Sequence, residues 1–210
     1  MLKSRLLLLT LTSALFAIAT LASAQDKPTA AKPAEEGFVS LFNGKDLKGW
    51  KASEKIEWKV EDGLIITPPK RSHLFTDKEF RNFELRLEIF TTPGSNSGVY
   101  FCTKPEETWP SQGYEAQVNQ THGDPVKSGS LYNVKKIFES AAKDDEWYTY
   151  TIRVEGKKIT IKVNDKVVNE YTEPENPTHP QRLQKGSIAL QAHDPKSVVK
   201  YRNIRIKSLD

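Results

Sequence analysis

Acid, amide and imidazole side chains fall on one parity of two short alternating runs. In Gly113-Tyr-Glu-Ala-Gln-Val118, the apolar Tyr114, Ala116 and Val118 are separated by Glu115 and Gln117. In Ser187-Ile-Ala-Leu-Gln-Ala-His193, Ile188, Leu190 and Ala192 alternate with Ala189, Gln191 and His193. Strand side chains alternate between faces with period 2, so Glu115 and Gln117 turn away from the core together, as do Gln191 and His193. Solvent-facing strand positions elsewhere take Lys and Thr, as in Lys157-Lys-Ile-Thr-Ile-Lys-Val163. Two runs sharing acid, amide and imidazole groups therefore point to a cleft on a curved sheet, suited to general acid–base work and to hydrogen bonding a polyhydroxylated ligand. Trp109, in the loop Lys104-Pro-Glu-Glu-Thr-Trp-Pro110, is placed either to stand at the rim of such a cleft or to cap the sandwich edge. His122 follows the Glu115 run closely and is a second candidate for the rim.

The elements that must carry these groups read as β-strands. Phe83–Phe90 alternates apolar and charged residues throughout. Tyr148–Val154, Lys158–Val163 and Val167–Tyr171 are β-rich runs separated by Glu155-Gly156 and Asn164-Asp165, which predicts a meander of two hairpins. Gly186–Ala192 and Val198–Leu209 supply the last strands. Helical periodicity is weak, with a short helix or turn expected only near Asp77–Arg81 or Lys136–Ala142. Many short strands with Gly, Pro and Asn turns predict an all-β sandwich or barrel. Trp58 and Trp147 lie in or beside strands and are expected in the core, while His73 and His179 are expected in solvated loops.

The chain opens with Lys3 and Arg5, an apolar run from Leu6 to Leu21, and Ala22-Ser23-Ala24. That order predicts a secretory signal peptide over residues 1–24, cleaved near Ala24. The run is shorter than the ~20 apolar residues of a membrane span, so the mature chain is not expected to insert in a membrane. Residues 25–36 hold no large apolar side chain and read as a flexible leader, and residues 37–210 as one domain. The net charge of +4 falls to +2 once Lys3 and Arg5 depart, and no basic stripe is visible, so no nucleic-acid partner is expected. The single cysteine, Cys102, allows no intramolecular disulfide and reads as a buried small hydrophobe; a secreted or periplasmic address fits.

Seven motifs occur in order: Leu41-Phe-Asn-Gly-Lys-Asp-Leu-Lys-Gly-Trp50, Trp58-Lys-Val-Glu-Asp-Gly-Leu64, Asn82-Phe-Glu-Leu85, Ser95-Asn-Ser-Gly-Val-Tyr-Phe101, Gly113-Tyr-Glu-Ala-Gln117, Leu190-Gln-Ala-His193 and Tyr201-Arg-Asn-Ile-Arg-Ile206. Together they resemble the 3-keto-disaccharide hydrolase family over about residues 37–210. The resemblance implies a concanavalin A-like jelly roll of two antiparallel sheets, and secreted bacterial proteins acting on sugars whose C3 hydroxyl has been oxidised to a ketone. The family commonly places Arg where this chain has Cys102, which would alter the glycoside bound or the activity if that Arg contacts substrate.

A ketone at C3 acidifies the C2 proton. A base can remove it, the enolate then expels the C1 substituent, and water adds to the resulting glucal-type product. This chemistry assigns His193 as base, with Glu115 as an alternative base or as the group orienting the imidazole. Gln117, Gln191 and Asn96 are expected to hydrogen-bond hydroxyls or the enolate oxygen. A divalent metal could be held by Glu115 and His193, although two ligands fall short of a site. No other cofactor is implied.

Other functions make different demands. Conventional glycoside hydrolysis needs carboxyl groups about 5–5.5 or 6.5–9.5 Å apart. Glu84 and Glu88, four residues apart on one strand, stand roughly 13 Å apart and fit neither spacing. A carbohydrate-binding module or lectin would use the same cleft, with Trp109 and Tyr132 as stacking platforms and Gln117 and Gln191 as hydrogen-bond donors. An adhesion domain would need no sugar-sized cleft. Lys135 and Lys136 are expected at the surface, where either could reach a substrate oxygen.

Overall fold

A computed structural model describes residues 35–178, 180 and 182–210. The expected signal peptide, most of the leader and His179 lie outside the described residues. The described chain forms β1 (Val39–Ser40), β2 (Trp50–Ala52), β3 (Lys59–Glu61), β4 (Leu64–Ile66), β5 (Ser72–Thr76), β6 (Phe83–Thr91), β7 (Asn96–Thr103), β8 (Tyr114–Asn119), β9 (Tyr148–Glu155), β10 (Lys158–Val163), β11 (Lys166–Thr172), β12 (Ser187–Ala192) and β13 (Val199–Ser208). All strand pairings are antiparallel. The larger sheet has the order β11-β10-β9-β6-β13-β4-β3, with β1 also paired to β13; the smaller has the order β2-β5-β12-β7-β8.

The period-2 pattern places the core between the sheets. Leu85, Leu87 and Ile89 of β6 and Ile152 of β9 pack in one cluster with Val99 of β7, Ala116 and Val118 of β8, and Leu190 of β12. Each fully buried Leu or Ile of this kind stabilises the fold by ~1.5–3 kcal/mol. The meander is pinned by its turns. Asn164 and Asp165, at φ 48° and 63°, connect the paired Val163 and Lys166, as a type I′ hairpin turn requires. In the preceding hairpin Glu155 pairs with Lys158, so the turn is Gly156-Lys157, one residue beyond the expected pair.

Three expectations need correction. Neither candidate helical segment is a helix, and no α-helix occurs among the described residues. Their backbone groups bond at long range instead: Phe80 exchanges two hydrogen bonds with Gly186, and the carbonyl of Ile137 accepts from Lys127 N–H. Trp147 is not in the core. It is half-buried on the outer face of the larger sheet, 5.6 Å from the Phe90 ring, with the Arg202 guanidinium carbon 3.8 Å from its ring centroid. His73 is not in a solvated loop but on β5, fully buried. On the outer face Glu84 pairs with Arg86 and Arg153, and Glu88 with Arg202, a charge ladder rather than a catalytic pair.

Cys102 has a structural explanation. Ala189 pairs with Tyr100 and Ser187 with Thr103, so β7 carries one residue more than β12 in this stretch, a bulge. Cys102 sits there at φ 55° and joins Phe101 in the core cluster. Burial pushes its thiol up to about 12, which leaves it inert as a nucleophile at neutral pH. Its side chain therefore faces neither cleft nor solvent.

Candidate active site

The smaller sheet turns a polar face away from the core, and strand register sets its rows. Tyr100 of β7 pairs directly with Glu115 of β8, Gly98 with Gln117, and Asn96 with Asn119. On the other side, Gln191 of β12 pairs with His73 of β5. The loop after β8 folds back along that edge strand: Gln117 N–H donates to Ser130 O and Tyr132 N–H to Glu115 O. This covers the edge and sets Tyr132 beside Glu115. The result is a cavity of about 320 Å³, near the small end of the ~300–1,000 Å³ typical of ligand pockets.

Of the residues expected at the site, Glu115, Gln117, Gln191, His193, Asn96, Trp109 and Tyr132 all line this cavity. His122 stands beside it, its ring 5.7 Å from that of His193. Its Nδ1 accepts from Asp124 N–H (3.1 Å) and lies 3.3 Å from Asn96 Nδ2. Lys135 is directed elsewhere, donating to the carbonyl of Glu170 at 2.7 Å.

Glu115 is the best-determined group. Tyr100 donates its hydroxyl to Oε2 at 2.8 Å, and Gln191 Nε2 donates to the Tyr100 oxygen at 3.0 Å and to Glu115 Oε1 at 3.3 Å. Burial raises its carboxyl to about 7, against the opposing pull of these hydrogen bonds and with a further push from Asp124. Such a carboxyl can exchange a proton at neutral pH.

The side chain reaches Tyr100 and Gln191 by lying across Gly98. A Cβ there would fall 2.2 Å from Glu115 Oε1 and 2.8 Å from its Cγ and Cδ. Gly98→Ala is accordingly expected to destabilise the protein by ~1–3 kcal/mol through overpacking. In a Glu115→Ala background most of that cost should vanish, which urea unfolding of the four proteins in a double-mutant cycle would measure. An equal cost in both backgrounds would mean that Glu115 does not lie across Gly98.

His193 is oriented by Asp194 and not, as one expectation had it, by Glu115. Its Nδ1 lies 2.9 Å from Asp194 Oδ2, and the hydroxyl of Ser197 donates to the same oxygen at 2.7 Å. Partial burial pushes the Asp194 carboxyl up, but Ser197, His193 and the Lys196 N–H outweigh it and hold the group at about 2. A fixed carboxylate on Nδ1 leaves Nε2 as the ring nitrogen free for proton transfer. Ser197 also accepts from Asn96 N–H at 2.9 Å, and Gln117 Nε2 donates to Asn96 Oδ1 at 2.7 Å, so a hydrogen-bonded chain joins β12 to β8 beneath the cavity.

Sequence reasoning missed Tyr100, His73, Glu54 and Asp194. Tyr100 shares parity with Asn96 and Gly98, so alternation through Asn96–Phe101 could have found it. Asp194 adjoins His193 and could have been weighed as its carboxylate partner. Glu54 gave no signal, because only the fold brings it to His73, whose backbone N–H donates to its Oε2 at 2.9 Å. Among the described residues no three His, Cys, Asp or Glu side chains converge as metal ligands.

A two-sheet antiparallel sandwich with a small polar cleft on its minor sheet belongs to the jelly-roll class shared by glycosyl hydrolases and lectin-like domains. Within that class the chain belongs to the family described as the 3-keto-alpha-glucoside-1,2-lyase-like domain, which it matches over residues 37–207. It is similar to a 3-keto-disaccharide hydrolase of Bacteroides thetaiotaomicron, 25% identical over 65% of this chain and 59% of the relative, so it spans about three-fifths of that protein's length. Two crystal structures of candidate glycosyl hydrolases from Parabacteroides distasonis share the fold. One has a TM-score of 0.74 at 22% identity, covering 83% of this chain and 95% of the other. The second has a TM-score of 0.70 at 27% identity, covering 82% and 99%.

Proposed function

We propose that this protein is a carbohydrate-active enzyme that cleaves 3-keto-glycosides by proton abstraction at C2, elimination at C1 and hydration. The observation that carries the reading is one small cavity lined both by a carboxyl raised to about 7, Glu115, and by an imidazole fixed through Nδ1 by Asp194, His193. The family, and a 3-keto-disaccharide hydrolase among the similar proteins, support the substrate class.

In the proposed reaction His193 Nε2 takes the C2 proton, and the C–H electrons form the enolate of the C3 ketone. Collapse of the enolate restores the ketone, forms the C1–C2 double bond and expels the C1 oxygen, which takes its proton from the Glu115 carboxyl. Water then adds across the double bond: its oxygen bonds to C1, the proton on His193, exchangeable with solvent, passes to C2, and the proton the water loses restores Glu115. The Tyr100 hydroxyl and the Gln191 amide hold the Glu115 oxygens in place, limiting reorganisation during the transfer. A module that only binds sugar has no use for a carboxyl desolvated in this way. The signal-like amino terminus supports export to a periplasm or the exterior.

The test compares a 3-keto-glucoside with its unoxidised parent in D2O. Product release from the keto-sugar alone, with deuterium at C2, is the expected result. Saturable binding of both sugars without release from either would leave a lectin-like domain, and release from the parent would point to conventional hydrolysis.

A further inference from the structure

The floor of the cavity offers acceptors, and its lining holds a second carboxylate with no cation to balance it. Among the described residues no Lys or Arg lines the cavity, whereas Asp124 does. The glutamine amide nitrogens of the floor are spent within the protein: Gln117 Nε2 donates to Asn96 Oδ1, and Gln191 Nε2 to the Tyr100 and Glu115 oxygens. Their oxygens, Gln117 Oε1 and Gln191 Oε1, are buried and have no hydrogen-bond partner. His193 Nε2 presents a lone pair, because Nδ1 faces the Asp194 carboxylate. A ligand that satisfies such a site brings donors and brings no negative charge.

Asp124 is fixed by its own loop. Its N–H donates to His122 Nδ1 at 3.1 Å, its carbonyl accepts from Asn119 Nδ2 at 2.9 Å, and its Oδ1 accepts from Val126 N–H at 2.9 Å. Among the described residues Oδ2 has no hydrogen-bond partner and the carboxylate forms no ion pair. The cations nearby are committed elsewhere. Lys127 Nζ donates to the carbonyls of His122 and Asp124, both at 2.9 Å. Arg71, whose guanidinium carbon is 5.4 Å from the Trp109 ring centroid, faces Glu54 Oε1 at 3.7 Å. The charge of Asp124 is felt by other groups of the lining: burial raises the Glu115 carboxyl and the Tyr132 hydroxyl, and Asp124 adds to both. A cavity of about 320 Å³ keeps any charge on a ligand within the ~8 Å over which physiological salt screens.

We propose that Asp124 is a specificity-determining residue that selects the reacting sugar by charge: its free carboxylate oxygen accepts a hydroxyl or ammonium of the ring bound between Glu115 and His193, and it repels acidic sugars such as uronates and sugar phosphates. This rests on the site proposed above and narrows its substrates to neutral and amino sugars, whatever the leaving group.

The experiment measures binding of methyl glucoside, methyl glucuronide and methyl 6-amino-6-deoxyglucoside to the wild type and to Asp124→Asn by calorimetry. It is run at about pH 6, where Glu115 keeps its proton. The wild type should bind the amino sugar at least as tightly as methyl glucoside, and the glucuronide about 10²-fold more weakly. Asp124→Asn keeps an Oδ1 acceptor for Val126 N–H but removes the charge, so the penalty on the glucuronide relative to methyl glucoside should fall about tenfold. Equal weakening of all three sugars in the variant marks a structural role and overturns the proposal, as does wild-type binding of the glucuronide as tight as that of methyl glucoside. If Asp124→Asn does not fold, the wild-type order of the three sugars decides it. If no keto-sugar is turned over while that order holds, charge selection stands and the reaction falls. If the wild type binds none of the three, kcat/KM for methyl 3-keto-glucoside against the corresponding 3-keto-glucuronide decides it, and a protein that neither binds nor turns over these sugars loses both.

Discussion

Replacing His193 with glutamine is expected to lower kcat for a 3-keto-glucoside by about 10²–10⁴-fold, the usual contribution of a positioned general base. The loss should appear in kcat more than in KM, because glutamine retains hydrogen-bonding capacity but cannot accept the C2 proton. In D2O the variant should also lose deuterium incorporation at C2 of recovered material, which isolates the proton-transfer step. Asp194→Asn should act in the same direction with a smaller effect. Asp194 accepts from Ser197 and from the Lys196 N–H and holds His193 through Nδ1, so an amide there can present its NH₂ to the ring and favour the wrong tautomer. A His193→Gln enzyme with wild-type turnover would remove the imidazole from the mechanism and leave Glu115 as the candidate base.

Glu115→Gln carries the second large effect, visible in two independent measurements. As the acid for the leaving oxygen, Glu115 works protonated, so the wild-type rate should fall as pH rises through about 7. The glutamine variant should be slower by about 10²–10⁴-fold and should lack that limb. Stability should respond as well. The folded-state pKa lies above the ordinary 4.5, so the stabilising contribution of the protonated carboxyl is full below pH 4.5 and is lost as pH rises through about 7. Above that point ionised Glu115 costs the folded state up to about 3 kcal/mol, at about 1.4 kcal/mol per pH unit. Urea unfolding at about pH 5 and pH 8 should therefore show Glu115→Gln gaining on the wild type as pH rises. A constant difference between the two proteins would mean that the carboxyl titrates in the ordinary range.

How far these features can be read from sequence depends on how many faces of a strand are buried. Strands β6, β9 and β10 have one face on the core and one in solvent, so their alternation is plain, and the run at Lys158–Val163 coincides with β10. Strands β5 and β7 are buried on both faces, because the cleft side is itself covered. Their sequences, SHLFT and NSGVYFCT, show no polar period, and a Pro-Pro-Lys-Arg run just before β5 reads as loop. That is why His73 escaped notice; β8 and β12 are buried almost as fully, but they keep acid, amide and imidazole groups on one parity, which made Glu115 and His193 visible. Trp147 misled for a different reason. Aromatic character in a strand context suggests core, yet an indole can lie on an outer face when a guanidinium stacks on it, and Arg202 lies 55 residues away in sequence. Gln117 and Gln191 were legible as cleft residues through parity and Asn96 through its Ser95-Asn-Ser-Gly motif, but which of their atoms would remain unpaired depends on cross-strand register.

Cys102 offers a use outside the chemistry of sugars. It is the sole thiol of the chain, fully buried within the bulge of β7 and pushed up to about 12. A thiol-specific reagent has one target, and that target becomes reactive only when the two sheets part. The rate of its labelling in native buffer is then a clock for opening of the sandwich, reporting the free energy of that opening when reclosure outpaces the reagent. Each substitution discussed above could be ranked by this clock without denaturant and without an attached probe.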